Sequence, residues 1–104
     1  RRVVNSLKST LSCLRSTARP LPDNDRQRVI ELKASWHSPR PMAVAEAVRD
    51  LTARSLVRSL TPADKKWLAN ACERLSAEIS RVDVLDLPKA RAVVLEEVNR
   101  LKSR

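Results

Sequence analysis

The 104-residue chain contains no glycine. Positive φ is therefore costly wherever the backbone would need it, because every residue carries a Cβ. Tight primed β-hairpins, which favour Gly at such positions, are disfavoured. Gly-rich phosphate loops and dinucleotide-binding turns are excluded for the same reason. The residues that dominate, Ala, Leu, Arg, Lys and Glu, all favour helix, and six prolines punctuate them. The length suits one domain, residues 1–104, burying about 60–70% of the unfolded chain's surface. The expected class is all-α, a compact helical bundle of about five helices.

Apolar periodicity places those helices. Helix 1 is expected over 2–18, with Val4, Leu7, Leu11, Leu14 and Ala18 as its stripe. Pro20 and Pro22 end it, since the residue before a proline avoids the α region. Helix 2 is expected over 24–37, capped by Asp23 or Asn24, with Val29, Leu32 and Trp36 facing inward and Ile30 beside them. Helix 3 is expected from Pro41 to Leu60. Its stripe slips by one residue after Leu51, which puts Arg49 on the apolar side. Glu46, Asp50, Arg54 and Arg58 read as an i,i+4 ladder on the opposite face. Helix 4 has the clearest start: Thr61-Pro62-Ala63-Asp64 offers an N-cap, a first-turn proline and an acid at the positive helix end. Leu68, Cys72, Leu75, Ile79 and Val82 follow. Helix 5 is expected over 88–102 with Ala90, Val94, Val98 and Leu101 inward. Leu11, Leu14, Trp36, Val48, Leu68, Leu75 and Ile79 are the expected core.

The net charge is +9 and unevenly spread: residues 1–22 hold Arg1, Arg2, Lys8, Arg15 and Arg19 and no acid. Such a field favours an acidic partner, whether nucleic acid, anionic lipid or acidic protein. This segment has the Arg- and Ser-rich, acid-free character of a transit peptide. Its complete apolar stripe reads instead as the first helix of the folded domain. Cys13 and Cys72 match no metal or redox spacing and read as small buried hydrophobes. No apolar run approaches the ~20 residues of a membrane span.

Catalysis has little to draw on. His37 is the only histidine, so no paired-His metal site is expected. Glu96 and Glu97 point about 100° apart on a helix and cannot face one substrate together. No serine sits in the glycine-flanked context of a nucleophile elbow. The chain is expected to bind rather than to catalyse, with no metal and no cofactor of its own.

Nucleic acid is one natural partner for this charge. Arg1, Lys8, Arg15 and Arg19 share one flank of helix 1, flanked by hydroxyls. Lys65, Lys66, Lys89 and Arg91 extend the basic surface. A break at Asp50-Leu51-Thr52 would create a helix-turn-helix with a recognition helix at 53–60. A continuous helix is favoured, because the turn lacks Gly and the charge ladder spans it. The absence of Phe and Tyr removes the usual stacking platforms for single strands.

The first 60 residues resemble the LYR-motif family, the complex I LYR-like proteins of mitochondria. Leu7 matches the Leu of the triplet, although Lys8 and Ser9 replace its Tyr and Arg. Leu11, Leu14, Arg15 and Arg19 fit the rest of helix 1, and Pro20-Leu21-Pro22-Asp23 fits the turn. Arg26, Arg28 and Ile30 fit helix 2, Trp36 stands where the family has Phe, and Arg40 fits the basic residue after it. The resemblance implies that residues 1–60 form a three-helix antiparallel core, with 61–104 as a helical extension. It also implies an adaptor, assembly factor or accessory subunit in the mitochondrial matrix or on the matrix side of a membrane complex. Its partner would be acyl carrier protein or another acidic subunit. Arg1, Arg15, Arg19 and Arg40 would meet that acidic surface, while Leu7, Leu11 and Trp36 line the core or a channel for the carrier's acyl-phosphopantetheine. The alternative is a basic nucleic-acid-binding bundle. A third reading is a structural subunit whose charge meets ribosomal RNA or neighbouring chains.

Overall fold

The N-terminal turn of the first helix is closed by serines. In the computed structural model, which describes residues 6–103, the Ser6 hydroxyl accepts from the Ser9 amide at 3.2 Å. The Ser9 hydroxyl accepts from the Ser6 amide at 3.0 Å. This reciprocal capping box satisfies two otherwise orphaned amides. The described residues form five helices and no strand: α1 (Leu7–Arg15), α2 (Asp25–His37), α3 (Ala43–Ser55), α4 (Pro62–Val82) and α5 (Leu87–Lys102). The expectations for Arg1, Arg2 and Val4 lie outside the described residues.

α3 is the central element, since it packs against each of the other four helices. Eight of its 13 residues are buried. Three of them are alanines, Ala43, Ala45 and Ala47, whose small side chains allow close approach of neighbours. α4 and α5 form the most extensive helix pair, closing over Leu75, Ile79, Ala90 and Val94, all fully buried. Leu14, Val48, Leu68, Leu75 and Ile79 are buried as expected, whereas Leu11 and Trp36 are only half-buried. α4 starts where its sequence places it. The Asp64 amide donates to the Thr61 hydroxyl at 3.1 Å, and Asp64 Oδ2 accepts from the Thr61 amide at 3.2 Å.

Three elements differ from expectation. α1 ends at Arg15 rather than 18: Ser16 turns extended with ψ 169°, and its hydroxyl donates back to the Cys13 carbonyl. α3 runs unbroken through Leu51 but stops at Ser55, so no recognition helix occupies 53–60. Thr61, ahead of Pro62, is extended, as the pyrrolidine ring requires, and Leu56 and Val57 are left exposed. The buried face of α2 is rotated from the one expected. Leu32 is buried and Trp36 packs against the core as expected, but Arg28 points inward in place of Val29 and Ile30, which are exposed.

This rotation of α2 has an identifiable cause. Arg28 Nε donates to both Asp64 carboxylate oxygens, at 3.1 and 3.2 Å, and Nη1 donates to the Pro22 and Asp23 carbonyls. Nη2 meets Asp25 at 2.6 Å. A buried guanidinium is tolerated when its donors are filled in this way. The i,i+4 ladder expected on α3 does not form either. Glu46 pairs with Arg40, Asp50 with Arg49, and Arg54 and Arg58 both with Asp23. The Arg40–Glu46 and Asp23–Arg54 pairs tie α3 to the preceding segments, Arg58 ties the segment after α3 to the same Asp23, and only Arg49–Asp50 lies within the helix.

Candidate nucleic-acid interface

Two of the cations expected to form a binding edge, Arg15 and Arg40, are engaged within the fold. Arg15 Nη2 lies 3.0 Å from Glu97, whose side chain is 4% exposed. Arg40 is bound to Glu46 at 2.5 Å. The Arg19 backbone amide donates to Asp50 at 2.9 Å, while its guanidinium takes part in none of the ion pairs among the described residues. Arg19, Arg40 and Arg49 do line one surface depression, but Glu31, Glu46 and Asp50 line it too, so its field is balanced. Arg15 sits apart, with Lys8, Leu11, Ser12 and Ser16. Arg1 is outside the described residues. Leu7 and Trp36 pack as half-buried residues against the core cluster.

Two other faces carry cations with no carboxylate partner. At 3.6 residues per turn, Arg26, Val29, Ile30, Lys33 and His37 share the face of α2 that points away from the core, and all five are exposed. No acid falls on that face: Asp25 is drawn toward Arg28, and Glu31 lies on the flank of the other depression. On α4, Lys66, Asn70, Arg74, Ala77 and Arg81 recur at steps of four and three and are likewise exposed. Arg26, Lys33, Lys66, Arg74 and Arg81 take part in none of the ion pairs among the described residues.

The two faces adjoin at an aromatic junction. The Trp36 and Trp67 rings meet edge to face, with centroids 6.2 Å apart. The Arg74 guanidinium lies 4.6 Å from the Trp36 centroid, a cation–π distance. Its Nη1 donates to the Trp36 carbonyl at 2.7 Å, capping the negative end of α2. Both indoles are thus occupied within the fold. A base would have to displace Arg74 to stack on Trp36.

The cysteines are placed for packing. Burial pushes the Cys72 thiol up to about 11, and burial also raises Cys13. Among the described residues, no group of three or more His, Cys, Asp and Glu side chains is placed to hold a metal ion. No helix among them is long and apolar enough to cross a membrane.

Fold and surface together define a small all-helical module with a basic outer face. The family model of the C-terminal domain of CarD matches residues 9–96, and the chain belongs to that family. No curated protein and no solved structure matches the chain.

Membership in a bacterial transcription factor family overturns the LYR-motif resemblance. The mitochondrial adaptor role, the matrix location and the docking of acyl carrier protein with its acyl-phosphopantetheine fall with it. The resemblance rested on leucines at helical spacing, a proline-containing turn and scattered arginines. Any basic amphipathic hairpin shows those features, and Lys8 and Ser9 already lacked the Tyr and Arg that make the triplet specific. Of the unpaired cations of α2 and α4, Lys66 and Arg26 stand out in the sequence, whereas Lys33, Arg74 and Arg81 do not. Their signal is the recurrence of basic residues at steps of seven and eight, two helical turns, visible once Arg28 is assigned to the interior.

Proposed function

We propose that this chain is a non-catalytic nucleic-acid-binding module of the bacterial transcription apparatus that grips a duplex backbone through α2 and α4. Family membership supports a transcription-associated role on nucleic acid and beside RNA polymerase. The observation that carries the reading is the set of five unpaired cations, Arg26, Lys33, Lys66, Arg74 and Arg81, on two adjoining faces. Cations free of intramolecular carboxylates release counterions fully when they meet phosphate. Asn70 adds a neutral hydrogen-bonding group within the stripe. Val29 and Ile30 provide apolar contact beside the cations.

Backbone contact to a duplex suits the surface better than base stacking on a single strand, because both indoles are already engaged. The module works without a cofactor in this reading; its contribution is position and charge. Fluorescence anisotropy with labelled duplex DNA across a salt series tests it. Five phosphate contacts predict a log–log salt slope with a magnitude of roughly 4–5. Binding that is absent at low salt, or insensitive to salt, would rule the proposal out.

A further inference from the structure

A groove of about 710 Å³ lies between α4, α5 and the segment after α3. Leu68, Cys72 and Val98 form its floor and are 7%, 6% and 3% exposed. Leu56 and Leu95 stand on its walls, each 44% exposed. Two large leucines left in water across an apolar floor have no role in the core of this chain. They mark a surface that is completed by another molecule.

The rim identifies the kind of molecule. Arg58, Lys65, Arg91 and Lys102 line the groove with Glu73 as the lone carboxylate, and Glu73 is held by Arg91 at 2.5 Å. An acidic partner is complementary to this rim. A second copy of this chain is a poor fit, since its charge of +9 would face like charge. Nucleic acid is also a poor fit, because phosphates gain nothing from Leu56 and Leu95. The described residues offer no sheet edge for strand addition, so the helical walls suit a helix laid in the groove. On α4 the groove residues Lys65, Leu68, Ala69 and Cys72 point roughly 150° away from the Lys66–Arg81 stripe at 100° per residue.

We infer that this groove receives an acidic amphipathic helix of a protein partner, on a surface separate from the nucleic-acid face. Its leucine-type anchors fill the space between Leu56 and Leu95, and its glutamates or aspartates meet Lys65 and Lys102. The module then joins nucleic acid to a protein without competition between the two.

The test uses the full chain and a labelled peptide of about four helical turns. The peptide carries leucines at i, i+3, i+4 and i+7 with glutamates flanking them. Saturable binding is expected, with amide shifts at Leu56, Leu68 and Leu95. Leu95→Glu and Lys102→Glu should each weaken it at least ~10-fold with unchanged thermal melts, since both sites are solvent-accessible. Duplex DNA should leave peptide binding intact. Absence of saturable binding, equal binding of a peptide with lysines for glutamates, shifts centred on α2, or displacement by DNA would each overturn the inference.

Discussion

The Arg28 guanidinium and the Asp64 carboxylate form a buried ion pair between α2 and α4, with side chains 2% and 1% exposed. The same two residues organise their neighbourhoods: Arg28 gathers the Pro22 and Asp23 carbonyls, and Asp64 caps its own helix through Thr61. Removing one partner strands the other charge in the interior. Asp64→Ala is expected to cost about 3–5 kcal/mol, read as a lower midpoint in urea unfolding. The double variant Arg28→Met with Asp64→Leu should recover much of that loss, because no charge remains unpaired. A single variant as stable as the parent would show the pair to be incidental.

The same pair sets an acid limit. Burial pushes the Asp64 carboxyl up, but hydrogen bonds from Arg28 and Thr61 outweigh it and hold the group below its ordinary value of 3.8. A depressed carboxylate contributes stability that is fully present above its unfolded pKa and is lost as pH falls through the folded one. Stability should therefore be flat from neutral pH down to about 5 and decline below about 4. Asp64→Asn should flatten that decline. A parent chain whose acid limb matches the variant's would contradict the assignment.

Val84 provides a test of the glycine-free backbone. It is the only positive-φ residue among those described, at φ 51°, in the turn after α4 where the Leu85 amide returns to the Ser80 carbonyl. A β-branched residue there costs about 1–2 kcal/mol. Its side chain is 92% exposed, so nothing is lost by truncating it. Val84→Gly should stabilise the fold by about 1 kcal/mol after the entropy of glycine is counted, a rise in Tm of about 4–8 °C.

The core itself is tested at Leu75, which is fully buried between α4 and its neighbours. Leu75→Ala should destabilise by about 2–5 kcal/mol. An unchanged thermal melt would mean that the α4 seam is not the centre of the core.

Helix 4 was legible in the sequence because its determinants are local: a Thr-Pro-Ala-Asp start and apolar residues at helical spacing. The face of α2 was not, because the partner that draws Arg28 inward stands 36 residues away. Without Asp64 in view, Val29 and Ile30 look like core and Arg28 looks like surface. The same limit hides the ion pairing of the expected binding edge. Arg15 reads as free until Glu97, 82 residues on, is folded against it. The phase slip at Leu51, by contrast, was correctly read as a continuous helix, and Arg49 on its apolar side is only 9% exposed, bonded to Asp50 and Ser16.

In the proposed mode nucleic acid is gripped by the unpaired cations of α2 and α4 and not by Arg15 and Arg40. The most direct measurement compares duplex-DNA salt slopes for two variants. One combines Lys33→Glu, Lys66→Glu and Arg81→Glu; the other combines Arg15→Gln and Arg40→Gln, whose guanidinia are already bound to Glu97 and Glu46. The account predicts that the first variant loses affinity and that its slope falls by roughly 3, while the second stays close to the parent. A first variant with the parent's slope, together with a second that no longer binds, would contradict it.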